Sequence, residues 1–424
     1  MRERIEELLK NILLVLLAIS AAVLAFMAYS GNYAEAQSLE SLRSRTNELL
    51  QQDRYRIVYA GESAAASVAA RPVRISVRTG FGRMSVQRDF TALDEVYERL
   101  GGLLGEGLER ADGRVEPCEI AELCRLLEQP SLYFGYDGAL PVDLLARWLG
   151  VETALDETVS ALVLAQDGEE HYCLALVTAD GPLRCGTVMD QTLFRDALAQ
   201  CRPDGSSFAF ERTEAAFRRL DPISLLCLDM VRLPAAAADS PAERREFAAD
   251  LVEQLGFNPY VGGYTTADGM TAYEESTGTL FLNSSGALLI QNSASGQLQA
   301  DSAELWNLTD YARSLLERVT APGDARLYLT GAVVDGDETT LTFDYFLSGI
   351  RIRQTAGSAA TVQFSGAALQ RLELNLRTYS LSGEQTALLP ELQAAAIEPE
   401  GAWLSACYLD RGGEILTLGW DMGE

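Results

Sequence analysis

The chain has 424 residues and a formal net charge of -27, a balance that repels nucleic acid and anionic lipid headgroups and argues against a phosphate-binding role. Hydrophobic residues make up 48% of it and 35 residues are glycine, which excludes wholesale disorder and predicts a folded body. One histidine, His171, excludes a multi-histidine metal site within a single chain.

The stretch "ILLVLLAISAAVLAFMAY", residues 12–29, carries no charge. As a helix it spans roughly 27 Å, close to the hydrocarbon thickness of a bilayer. Arg2, Arg4 and Lys10 precede it and the next basic residue is Arg43. This bias places residues 1–11 in the cytoplasm and the remainder outside the cell, as a single-pass protein of the cell membrane. Ala34-Glu35-Ala36 has the small-x-small form of a signal-peptidase site, so cleavage before Gln37 stands as the alternative to a retained transmembrane helix. Within the span, Leu14, Ala18, Ala21, Ala22 and Ala25 share one stripe, a small-residue face that permits close helix packing; the competing reading leaves these alanines facing lipid.

Residues 30–70 read as a juxtamembrane helix or stalk, from Leu39, Leu42 and Leu49 near one face. The length beyond the anchor exceeds one typical core, which predicts two or three domains. The first, 71–232, opens with the alternation of Val73, Ile75 and Val77, a half-buried strand. The helix "DFTALDEVYERLGGLLGEGLE" follows, with Leu93, Val96 and Leu100 on one stripe. Its glycine-rich part, Gly101 to Gly107, lacks the Lys-Ser/Thr of a phosphate loop and reads as a frayed helix end. Further expected elements are a helix at "PCEIAELCRLLEQ", a strand at "SLYFGY", a helix at "PVDLLARWLG", strands on either side of the Asp167-Gly168 turn, and a helix at "QTLFRDALAQC".

Pro234, Pro241 and the alanines between them mark residues 233–240 as a linker. A central module, 241–321, is read as a helix, a meander with glycine-bearing turns, and the helix "SAELWNLTDYARSLLERV". A C-terminal module, 322–424, holds strands on either side of the Asp335-Gly336-Asp337 turn, then "IRIRQ", "ATVQFSG" and "LQRLELNLRTYSL", a helix at "TALLPELQAAAI", and two closing strands. Strands and helices without strict alternation predict an α+β fold with antiparallel sheets.

Few residues offer chemistry. The cysteines, Cys118, Cys124, Cys173, Cys185, Cys201, Cys227 and Cys407, show no ligand-like spacing and sit in apolar runs, which reads as buried small hydrophobes. His171 reads as a solvated or packed residue at a strand edge. Lys10 is the only lysine, so a Ser-Lys dyad beyond the anchor is excluded. Residues 335–338, "DGDE", fit a hairpin turn better than a calcium loop. No cofactor, metal or catalytic residue is expected.

"NPYVGGYTTADGMTAYEESTGTLFLNSSGALLIQN", "LTFDYFLSGIRIRQ" and the closing "AAAI...WLSACYLDRGGEILTLGW", with "SLYFGYDGALPVDLLARWLG" in the first half, resemble the YycH/YycI proteins and YycH more closely. These are membrane-anchored accessory regulators of the WalK sensor histidine kinase in Gram-positive bacteria. The chain departs from the family at Arg351, where members often carry proline. The resemblance implies a non-enzymatic regulatory protein of a two-component signal transduction system of the cell wall, which inhibits a WalK-like kinase partly through the transmembrane helices, with a YycI-like paralogue as a further partner. The alternative reading is an envelope scaffold or binding protein that captures a cell-wall fragment or peptide.

Overall fold

A computed structural model of the chain describes residues 71–421, apart from 169–170, 228–231, 261–262, 268, 276–277, 293–297, 321–322 and 356. These residues fall within one compact unit, Ile57–Glu424. The fold is α+β, with a large antiparallel and mixed sheet system and seven α-helices among the described residues. No helix among them is long and apolar enough to cross a membrane. The expected transmembrane helix and stalk lie outside the described residues.

The chain begins with β1 (Arg74–Thr79), β2 (Gly82–Gln87), α1 (Phe90–Glu109), β3 (Glu116–Pro117), α2 (Ile120–Glu128), β4 (Ser131–Pro141) and α3 (Val142–Trp148). The hairpins of β5 (Thr158–Gln166), β6 (Tyr172–Thr178) and β7 (Gly181–Thr187) follow, then α4 (Gln191–Ala199). The strands form an antiparallel sheet in the order β2-β1-β4-β5-β6-β7-β3. Both faces of this sheet are covered, which is why β5 and β6 are buried and apolar over residues 161–165 and 172–176. Ala161, Val163, Ala165 and Ala175 pack with Leu123, Leu126 and Leu127 of α2. Alternate positions face α1 and α4, where Tyr97 meets Phe134 and Phe194 meets Tyr172 edge to face.

Asp89 and Asp190 cap α1 and α4, each accepting two backbone N–H bonds. The stretch Gly101 to Gly107, expected to fray, is helical to Glu109. Its glycines let α1 lie against the sheet: a Cβ on Gly107 would come within 3.2 Å of Leu164. Close packing against β5 outweighs the poor helix propensity of glycine.

After β8 (Ser207–Phe208) and β9 (Leu225–Leu226) comes β10 (Arg232–Asp239). Residues 233–240 were expected as a linker, yet nearly all of them lie in this strand. The reason is a distant partner: β10 pairs with β20 (Thr378–Ala387), and the register shifts between Pro234 and Ala236, where proline offers no N–H.

The remaining elements are α5 (Arg245–Gln254), β11 (Tyr264–Thr265), β12 (Thr271–Glu275), β13 (Gly278–Leu282), β14 (Ala287–Asn292), α6 (Leu305–Val319), β15 (Ala325–Asp335), β16 (Glu338–Leu347), β17 (Ile350–Gln354), β18 (Ala360–Ser365), β19 (Ala368–Asn375), α7 (Glu391–Ile397), β21 (Ser405–Asp410) and β22 (Thr417–Asp421). A second sheet runs β11-β12-β13-β14-β19-β18-β16-β15. A branch leaves the end of β16 through β17, then β21 in parallel, then β22. Ser348 and Gly349, at φ 52° and 82°, make the two-residue turn between β16 and β17. Buried Leu308, Ala312, Leu315, Leu316 and Val319 form the inner face of α6, with Tyr311 edge-on to Phe364.

The expected strand "LQRLELNLRTYSL" is divided between β19 and β20. The helix expected at "TALLPELQAAAI" begins only after Pro390, because Thr386 and Ala387 are held in the β20 ladder.

The two sheets meet where Gly331 of β15 pairs with Ala139 of β4. Gly138 makes that approach sterically feasible, since a Cβ there would sit 1.8 Å from the Thr330 carbonyl oxygen. Val73, Tyr328 and Phe346 are buried together at the same junction, with Phe90 stacked 5.2 Å from Tyr328. An arginine–carboxylate seam runs beside it. Arg74 and Arg351 both reach Asp137, at 3.2 and 3.6 Å, and Arg351 also binds buried Asp344. Arg351 is thus part of the seam.

Candidate functional site

At the junction, α3 and the loop behind it face the start of α6 across an open groove of about 490 Å³, within the range of small-ligand sites. Asp143, Leu144 and Arg147 come from α3, Val151, Glu152 and Thr153 from the loop, and Glu304 and Trp306 from the opposite wall.

Both walls are held by backbone and side-chain bonds. Helix α3 ends at Gly150 (φ 74°), with Gly150 N–H donating to Arg147 and Val151 N–H to Ala146, the bonding of a Schellman cap. This turns Val151 into the groove. The Thr153 hydroxyl then donates to the Leu108 carbonyl at the end of α1 at 3.0 Å. On the other wall, the Glu304 carboxylate accepts the Trp306 indole N–H, which fixes the ring.

Asp143 and Arg147 are four residues apart on a helix, the spacing of an ordinary surface ion pair. They do not pair. Instead the Arg147 guanidinium lies 5.0 Å from the centre of the Trp306 ring, a cation–π contact. Asp143, Arg147 and Glu152 are all exposed. Among the described residues none of the three has an ion-pair partner within 4.0 Å.

A second surface lies on α7. Helices normally turn charge outward and apolar residues inward, and this one does the reverse. Glu391 is 3% exposed, whereas Leu392 and Ile397 are 46% and 64% exposed, and Leu389 just before the helix is 42% exposed. Glu391 binds Arg88 at 3.2 Å and accepts the Cys227 N–H at 3.0 Å. Arg88 also lies 5.2 Å from the ring of Trp420, whose indole donates to the Leu389 carbonyl. Ala394 and Ala395 fill the inner side against Phe217, Leu220, Leu226 and Leu404. The helix is anchored by a buried charge and offers its apolar side chains to solvent.

The other sequence candidates are placed as follows. Leu14, Ala18, Ala21, Ala22 and Ala25 lie outside the described residues. His171 is exposed just before β6 and its carbonyl accepts the Asp167 N–H at 2.8 Å. Residues 335–338 form the exposed tip of the β15–β16 hairpin. Among the described residues, no group of three or more His, Cys, Asp or Glu side chains is arranged to hold a metal ion. All seven cysteines carry free thiols, five of them buried. Burial pushes the Cys118, Cys124 and Cys173 thiols up to about 11, and those of Cys185 and Cys407 to about 12.

The groove and the α7 face escaped sequence reasoning. An Asp and an Arg four apart signal a solvated helix face, and only the fold brings Trp306 to them. No protein-family model, curated protein or solved structure matches the chain.

Proposed function

We propose that this is a non-enzymatic regulatory protein, anchored in the cell membrane by its N-terminal helix with the C-terminal body outside the cell. It inhibits a WalK-like sensor histidine kinase of the cell envelope through contacts in the membrane and beyond it, with a YycI-like paralogue as an additional partner. The α7 surface carries the extracytoplasmic half of this reading: exposed Leu392 and Ile397 on a helix fixed by buried Glu391 suit a protein contact, where large apolar side chains are covered by a partner. The small-residue stripe of Leu14, Ala18, Ala21, Ala22 and Ala25 supports the membrane half. The acidic body and the resemblance to YycH/YycI proteins support the class of partner.

The test uses the full chain in its native membrane, with a photoreactive residue at position 392. Crosslinking followed by mass spectrometry is expected to recover a sensor kinase. Leu392→Asp with Ile397→Asp should abolish that crosslinked product, and Ala18→Leu with Ala22→Leu should raise kinase output, both at normal protein level. Unchanged crosslinks and unchanged kinase output would overturn the proposal.

The second reading, capture of a cell-wall fragment or peptide, is supported by the groove that Arg147 and Trp306 line.

A further inference from the structure

The geometry points to a binding site for a short zwitterionic peptide, about two residues long with both termini free, in the groove between α3 and α6. This rests on the capture reading and requires nothing of the kinase. The anionic end is assigned to Arg147. Its guanidinium is held over the Trp306 ring, 5.0 Å from the centroid, and no ion pair or hydrogen bond occupies it among the described residues. A fixed planar fork of N–H donors is suited to a carboxylate.

The cationic end is assigned to Asp143 and Glu152. Both line the groove, both are exposed and neither is paired. Glu304 is not available in the same way, because it accepts the Trp306 indole N–H. Asp143 lies four residues before Arg147 on the helix, a rise of about 6 Å. A dipeptide, at roughly 3.4 Å per residue, separates its two charges by a similar distance. Its side chains would lie along Val151, a partly exposed apolar residue of the lining. A purely anionic ligand would meet the two carboxylates, and a purely cationic one would meet Arg147. A molecule carrying both charges meets a partner of opposite sign at each end.

The experiment uses the full chain in nanodiscs with its tryptophans replaced by 5-fluorotryptophan. The fluorine resonance of Trp306 is assigned by Trp306→Phe. Alanyl-alanine should shift that resonance saturably while the signals of Trp148, Trp403 and Trp420 stay in place. N-acetyl-alanyl-alanine, which lacks the ammonium, and alanyl-alanine amide, which lacks the carboxylate, should each bind about tenfold more weakly or worse. Arg147→Met, and Asp143→Asn with Glu152→Gln, should produce similar losses with the other three resonances unmoved. Blocked dipeptides that bind as tightly as alanyl-alanine would overturn the zwitterion assignment and leave the capture reading standing. No shift with any of the three would overturn both, and full binding by Arg147→Met would overturn the role given to that residue.

Discussion

The Arg88 guanidinium and the Glu391 carboxylate, 303 positions apart in the chain, meet at 3.2 Å. Their side chains are 10% and 2% exposed, so the pair is largely withdrawn from water. It fastens α7 to the residue that follows β2, and so ties the C-terminal part of the chain to the first sheet. Arg88→Met removes the cation while the carboxylate stays buried, and should cost about 3 kcal/mol of stability. Arg88→Met with Glu391→Leu should recover most of the loss. Urea unfolding of the four proteins of that cycle gives the coupling directly.

Gly138 is the point at which the sheets touch. Gly138→Ala would place a methyl group 1.8 Å from the Thr330 carbonyl oxygen, a contact that only backbone movement relieves. The expected loss is on the order of 3 kcal/mol or more, in the class of severe backbone and overpacking effects. Gly336→Ala, at a hairpin tip with nothing within 4 Å, should cost far less, chiefly the strain of its positive φ. A comparable urea midpoint for the two variants would refute the steric account.

Glu398 is fully buried, and neither carboxylate oxygen has a hydrogen-bond partner. Burial, with a smaller contribution from Asp421, raises its carboxyl above the usual carboxylate range. A folded-state value above the unfolded one means that folding opposes ionisation. The contribution of Glu398 is therefore most favourable at pH below its unfolded value, about 4.3, and declines as pH rises through the folded value. Glu398→Met should raise Tm at pH 8 by about 2 °C or more. The two proteins should converge near pH 4, and calorimetry at both values decides it.

The thiols should be slow to react. A thiol pushed up to about 11 by burial carries roughly a hundredfold less thiolate at pH 8 than an ordinary one, before shielding is counted. Native protein treated with Ellman's reagent at pH 8 should therefore release colour slowly from Cys118, Cys124 and Cys173. In 6 M guanidinium all seven cysteines should react at once. A fast native phase equal to three thiols would contradict the burial.

What the sequence disclosed and what it hid follow from the range of the forces involved. The β5–β6 hairpin was legible because its two apolar runs and the Asp167-Gly168 turn are local, and Gly168 takes φ 110° as such a turn demands. Helix α3 was legible from Pro141 at its start. The orientation of Arg147 was not, because Trp306 reaches it only through the meeting of two sheets. Glu391 likewise begins a short helix like any surface glutamate, and only Arg88 and the Cys227 N–H make its burial tolerable. Strand β10 was hidden for the same reason: a proline- and alanine-rich segment has little intrinsic strand preference, and β20, which pairs with it, lies far along the chain.

The seam at the junction draws all of its cations from guanidinium groups, and Lys10 is the only lysine in the chain. Residues 71–421 likewise present no lysine amine to acetylation or amine-directed reagents, so chemical mapping of their contacts must go through carboxylates, thiols or light.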